Sequence, residues 1–355
     1  MSGVAARPAV DETRLKAALT AYPHLGAFVR ILRNGLSVNT AACLIETVAG
    51  RYFVKCHDLV GDAASVIGSE HALVTHLVDR GFPTPVMHRN GDGQTLTTRD
   101  HFGFAVSDVA AGEDRYGETP VFAPYGRLTE VASVGACLAT LHAAWADLPP
   151  PPHPQDQGMT ASYDLLTGPD VVSGLDALVD RWPVLASRLG DAAIRQRLIT
   201  YLAPRHADLL PLWPDLRRGL IHGDFIKRNL FWDGDSITAV IDFSLWNTAP
   251  RVFDLALAAL PCGFDWPALL GGQRGLRPDD LRILVMAYDA CGTLHDSERA
   301  ALPIVMETAR IEFYLSIVAA AMDRGDEVTA ERFWRLLWGV LDWFTGHPDW
   351  RATVR

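Results

Sequence analysis

No run of 18 or more apolar residues occurs anywhere in the 355-residue chain, which excludes a membrane-spanning helix. Basic residues are outnumbered, 32 Lys and Arg against 42 Asp and Glu, for a formal net charge of −10. With no basic stripe either, nucleic acid is not an expected partner. Cysteine is sparse: Cys43, Cys56, Cys137, Cys262 and Cys291 are odd in number and form no CxxC pair. That argues against a zinc knuckle or a redox pair and for reduced, buried thiols. The 12 histidines include no HExxH, so oxygen atoms would have to hold any metal. Neither GxGxxG nor GxxxxGK[ST] is present, which excludes a P-loop. The first 25 residues lack a basic-then-apolar leader pattern, so residence in the cytoplasm is expected.

What is present reads as a packed protein. Hydrophobic residues make up 49% and charged residues 21%, and the length suits two domains or one two-lobed domain. The first third alternates short β-rich runs (29–33, 42–47, 51–56, 86–89, 95–98 and 103–109) with one helical stretch, 63–80, ending at Gly81. From about Leu128 helical spacing dominates, at 131–145, 175–189, 192–210, 281–291, 297–322 and 328–344. Short strands are expected at 220–224, 229–232 and 237–243. The fold class is therefore α+β, a small mixed sheet lobe over residues 1–110 and a mainly helical lobe over 111–355, with a hinge at 110–115.

One stretch carries chemistry. His222-Gly223-Asp224 is followed five residues later by Asn229, and an apolar run then ends in Asp242-Phe243. Moving a γ-phosphoryl group needs an acceptor hydroxyl held in line and metal ions that neutralise phosphate oxygens. Asp224 would orient the hydroxyl and take its proton; Asn229 and Asp242 would hold magnesium. In the first lobe, Lys55 ends the run Tyr52-Phe53-Val54 and can reach the α- and β-phosphates of ATP, and Glu70 in the following helix can pair with it. A phosphate-covering loop would use Ser37, Asn39 and Thr40. By position, the Asp108 carbonyl and the Ala110 amide would read the adenine.

These residues resemble the aminoglycoside phosphotransferase/choline kinase-type family, a protein-kinase-like fold acting on small molecules. The likeness runs from about Gly35 to Met322. His222-Gly223-Asp224-x4-Asn229 matches the family's HGD-x4-N, Asp254-Leu255-Ala256 its D-L-A, and Gly135-x-x-Leu138-Ala139-x-Leu141-His142 its G-x-x-L-A-x-L-H. Asn39, Gly50-Arg51-Tyr52 and 230–243 look closest to the type II homoserine kinase branch. The resemblance implies a bilobal protein-kinase-like fold, ATP or GTP with Mg2+ as cofactors, and a small-molecule hydroxyl acceptor as partner. It also implies that 244–247 border the acceptor.

An antibiotic of aminoglycoside or nucleoside type is the first expectation for the acceptor, and an amino alcohol such as homoserine the second. The acidic residues Glu307, Glu312 and Asp323 would suit a cationic acceptor. A protein kinase is disfavoured because only ten residues separate Phe243 from Asp254, too few for a peptide-binding segment. A nucleotide-binding pseudokinase is disfavoured because Lys55, Asp224, Asn229 and Asp242 are all retained.

Overall fold

The computed structural model describes residues 9–35, 40–120, 123–151, 164–292 and 294–353. In chain order its main elements are α1 (Glu12–Leu19), β1 (Phe28–Asn34), β2 (Ala41–Thr47), β3 (Arg51–Asp58), α2 (Ala63–Asp79), β4 (Thr97–Arg99) and β5 (Phe102–Asp108). Then come α3 (Leu128–Ala144), α4 (Val171–Arg181), α5 (Ala192–Leu209), β6 (Arg218–Ile221), β7 (Leu230–Asp233), β8 (Ser236–Val240) and β9 (Asn247–Pro250). The chain ends with α6 (Val252–Gly263), α7 (Trp266–Leu270), α8 (Pro278–Gly292), α9 (Asp296–Thr308), α10 (Ile311–Asp323) and α11 (Glu327–Gly346). The fold is the protein-kinase-like one, with a small antiparallel sheet at the N-terminal end and a helical remainder.

The chain divides into two compact units. The first runs through Asp114 and regains the chain at Leu230–Ser244. Its five strands lie in the order β1-β2-β3-β5-β4, all antiparallel. Alternation along β3 sends Val54, with Tyr52 and Cys56, into a core shared with Leu15, Leu19 and Tyr22 from the α1 side. The same alternation puts Lys55 and His57 on the other face. The β7–β8 hairpin joins this unit through backbone: Glu113 pairs with Trp232, and the Val240 N–H donates to the Pro83 carbonyl at 2.8 Å. The expected strand at 86–89 is only a single bridge, Met87 to Ser107. Pro83 and Pro85 just upstream limit what that segment can donate to a ladder.

The second unit holds Arg115–Pro150, the stretch up to Asn229, and everything from Leu245. β6 pairs antiparallel with β9, Leu220 opposite Thr248. α3 lies along α8, and Gly135 is where they come closest: a Cβ there would sit 2.3 Å from the Leu284 carbonyl oxygen. α6 is buried on every side, so it has no polar face and no helical periodicity to betray it in the sequence. The expected single helix 297–322 is two, α9 and α10, jointed at Ala309-Arg310 without a glycine or proline to announce the break. Trp334 is buried, as core packing at helical spacing implies, and meets Trp338 edge-to-face at 5.7 Å. No helix among the described residues is long and apolar enough to cross a membrane.

Because Gly135 faces backbone rather than a movable side-chain tip, Gly135→Ala should force α3 and α8 apart. Overpacking of this kind costs about 1–3 kcal/mol, so a thermal melt should show a lower midpoint. An unchanged midpoint would mean that the two helices have slack at this point.

Candidate active site

In the first unit the ammonium of Lys55 on β3 lies 2.9 Å from Asp242 Oδ1. Asp242 follows β8, and its backbone sits in the left-handed region, φ 64°, which a residue with a Cβ adopts at some cost. The Lys55 ion pair and a 3.2 Å hydrogen bond from Ser244 Oγ fix its carboxylate in that posture. Burial opposes the charge on Lys55, but Asp242 and then Glu70 outweigh it and hold the ammonium above its ordinary pKa. Glu70 on α2 is itself pushed up to about 6, chiefly by burial, with Lys55 pulling the other way and Asp242 adding to the rise. Two histidines flank this group. Burial, helped by the Lys55 charge, takes His57 down to about 4, and its buried Nε2 has no hydrogen-bond partner among the described residues. His71 falls to about 3, again mainly through burial, and pairs with Thr95 Oγ1 at 2.9 Å. Lys55 is therefore the one cation of this group at neutral pH.

In the second unit the loop after β6 is built around Asp254, a fully buried carboxylate in the first turn of α6. Its Oδ2 accepts the His222 N–H at 2.6 Å and its Oδ1 the Gly223 N–H at 2.9 Å. His142 Nε2, on α3, approaches Oδ2 at 3.1 Å, and the other ring nitrogen meets the Tyr288 hydroxyl at 2.8 Å. A buried anion needs such partners, and charge-assisted bonds contribute about 1.5–3 kcal/mol each. Gly223 has φ +77°, and a Cβ there would fall 2.0 Å from the Leu245 carbonyl oxygen, so only glycine permits the turn. Asp224 then emerges. Asn229 Nδ2 donates to its carbonyl at 2.9 Å and to its Oδ2 at 3.2 Å. With the amide nitrogen committed to two acceptors, the Asn229 side-chain oxygen is the atom that could meet a cation. Lys227, fully buried between them in sequence, donates to the carbonyls of Ala123 and Pro124 and lies over the Tyr116 ring at 5.2 Å. Burial brings its pKa down to about 8.

The structure thus brings Lys55, Glu70 and Asp242 together in one unit and Asp224 and Asn229 in the other. Thr40 stands half-buried just ahead of β2, while Ser37 and Asn39 lie outside the described residues. Asp108 ends β5; its carbonyl accepts from Ser107 Oγ at 3.1 Å and its carboxylate pairs with His88 at 2.8 Å. Ala110 follows, half-buried. The acidic residues expected to attract a cationic acceptor do not form a receptor for one. Glu307 is buried and bonded to Arg205, Trp350 and Arg351; Glu312 accepts the Leu165 N–H; Asp323 is exposed at the end of α10. Sequence reasoning missed Arg310, whose Nη1 is 3.7 Å from Asp224 Oδ1. No motif marks it, since the two lie 86 positions apart in sequence.

Among the described residues no group of three or more His, Cys, Asp or Glu is arranged as a metal cage. Taken singly, the Asp242 carboxylate and the Asn229 amide oxygen are hard donors of the kind magnesium takes, its shell being completed by phosphates and water. They do not fit zinc.

A sequence model of the phosphotransferase enzyme family matches residues 30–275. The homoserine kinase of Gluconacetobacter diazotrophicus is 28% identical over 315 residues, covering 86% of this chain and 86% of that protein. Among solved structures, a microcompartment-associated aminopropanol kinase superposes with a TM-score of 0.62 at 18% identity, over 97% of this chain and 99% of its own. The amicoumacin kinase hAmiN, solved with AMP-PNP, Ca2+ and Ami, gives 0.60 at 13% identity, over 94% and 93%.

The electrostatics of the Lys55 group can be read directly. A carboxyl whose folded pKa is raised favours its protonated form, so Glu70's contribution to stability is present below pH about 4.5 and is lost as pH rises through about 6. Carbon-detected NMR of the Glu70 side chain should place its midpoint near 6. Lys55→Met should move it higher, and Asp242→Asn lower. A midpoint at the ordinary glutamate value, or shifts of opposite sign, would contradict this arrangement.

Proposed function

The chain belongs to the phosphotransferase enzyme family, and from that premise we propose that it transfers the terminal phosphoryl group of ATP or GTP to a hydroxyl of a small molecule. The observation that carries the reading is the Asp224–Asn229 pair, presented by a loop whose backbone is clamped to a buried carboxylate. Asp224 aligns the acceptor hydroxyl and receives its proton as the new O–P bond forms and the bond to the departing ADP or GDP breaks. Lys55, kept charged by Asp242 and Glu70, meets the non-transferred phosphates. Asn229 and Asp242 are the metal ligands, and magnesium, when bound, offsets the charge of the phosphate oxygens. Thr40 with Ser37 and Asn39 would cover the phosphates, and the Asp108 carbonyl and Ala110 amide would read the base.

For the acceptor, two observations favour an amino alcohol over an antibiotic. The curated relative that spans 86% of the chain is a homoserine kinase, whereas antibiotic kinases are like this chain in fold only, at 13% identity for hAmiN. Of the carboxylates that would have welcomed a polycationic aminoglycoside, Glu307 is neutralised by Arg205 and Arg351, and Glu312 accepts the Leu165 N–H. A homoserine-like compound therefore moves ahead of the antibiotic class. Retention of Lys55, Glu70, Asp224, Asn229 and Asp242 speaks against a non-catalytic nucleotide binder.

Asp224→Ala should lower kcat by about 10²–10⁴-fold, the usual contribution of a general base, while nucleotide binding persists. A variant keeping a third of the turnover would remove Asp224 from that role. A coupled ADP-release assay over homoserine, 3-aminopropan-1-ol, choline and aminoglycosides ranks the acceptors. Homoserine-like amino alcohols should give the highest kcat/KM, and an aminoglycoside leading by about tenfold, roughly 1.4 kcal/mol in transition-state binding, would restore the antibiotic reading. EDTA should abolish turnover in either case.

A further inference from the structure

Arg310 stands at the joint between α9 and α10, capping α10 from outside its first turn. Its side chain is 9% exposed. A guanidinium offers five N–H donors that cannot be deprotonated, and buried donors are normally met. Among the described residues this guanidinium makes no hydrogen bond. Among those residues its ion pair is the 3.7 Å approach to Asp224 Oδ1, beyond hydrogen-bond length, and the Phe313 ring lies 5.0 Å from it. The neighbouring acids are already committed. Glu307, one turn earlier, is held by Arg205 and Arg351, and Glu312 accepts from Leu165. The protein has thus placed an under-bonded cation beside the carboxylate assigned to the acceptor hydroxyl.

We propose that Arg310 is the specificity-determining residue for the acceptor, and that it binds a carboxylate carried by the molecule whose hydroxyl Asp224 aligns. The assignment rests on the phosphotransfer reading and narrows it: the acceptor is a hydroxy amino acid or hydroxy acid rather than a plain amino alcohol. The chemistry favours this class because a planar guanidinium fork matches a carboxylate with two parallel hydrogen bonds. An anion from the ligand also supplies the compensation that a nearly buried cation lacks. Asp224 alone does not, since it must keep its oxygens for the hydroxyl.

The test uses a matched pair, homoserine and its decarboxylated counterpart 3-aminopropan-1-ol, titrated calorimetrically into the full-length protein without nucleotide. Wild type should bind homoserine about 10–100-fold more tightly, the range for hydrogen bonds to a charged group. Arg310→Gln should bring that ratio close to one, and Arg310→Lys should restore part of it. Equal binding of the two compounds by wild type, or binding of neither, overturns the assignment, and neither result depends on a variant folding. So does an Arg310→Gln protein that keeps the wild-type ratio. If Arg310→Gln instead slows turnover of both compounds equally, the guanidinium serves Asp224 or the transferred phosphoryl, and the specificity role fails. Absence of phosphate transfer to every acceptor, with the binding ratio intact, would overturn the phosphotransfer reading and leave Arg310 only as a carboxylate-binding residue.

Discussion

The buried carboxylate of Asp254 holds the backbone N–H groups of His222 and Gly223, one on each oxygen, and this clamp decides where Asp224 stands. A loop of three residues could otherwise adopt many shapes. Tied at two consecutive amides, with the Leu245 carbonyl closing off any Cβ at position 223, it has essentially one. The clamp is in turn anchored outward: Asp254 to His142, His142 to Tyr288, and Tyr288 to the helix that Gly135 allows to lie close against α3. Three separate sequence motifs, HGD, DLA and GxxLAxLH, are thus successive links of one hydrogen-bonded chain. In the proposed reaction Asp224 is the link that meets the acceptor, and the other links place it.

The Lys55 group works by a different balance. Its members are mutually dependent charges in a partly desolvated setting, where burial penalises each ion singly and the neighbours restore it. Lys55 stays cationic because two carboxylates face it; Glu70 drifts toward protonation because burial outweighs its single cation; the nearby histidines are kept neutral. Asp242 accepts a left-handed backbone to present its carboxylate to Lys55. Strain of this sort survives only where surrounding bonds over-determine it, and it is common where a side chain has a ligand to meet.

Much of this was legible in one dimension. The spacing from Asp224 to Asn229 and on to Asp242 is local, and local spacing is what a loop-and-strand motif conserves in space: Asn229 reaches back to Asp224 because five residues are enough for one tight turn. The amphipathic helices α2, α3 and α11 were equally readable, since each has a dry stripe and a wet one. Where that contrast vanishes, the reading failed. α6 is dry all round, and α1 is a short helix whose buried face is three residues, Leu15, Ala18 and Leu19. The α9–α10 joint lacks the residues that usually announce a break, and there the chain hides Arg310.

What the sequence determined by itself was the reaction class, because phosphoryl transfer needs a carboxylate, an amide oxygen and a second carboxylate at separations short enough to be read along the chain. What only the tertiary structure decided was the fate of each remaining charge. Glu307 and Arg310 are three positions apart on one stretch of helix, and nothing in their spacing separates them. Folding gives Glu307 two arginines from distant segments and gives Arg310 no hydrogen bond among the described residues, close beside Asp224. A residue's partners across 40 to 100 positions are set by packing, and an ionic group's role depends on whether those partners leave its charge spent or available.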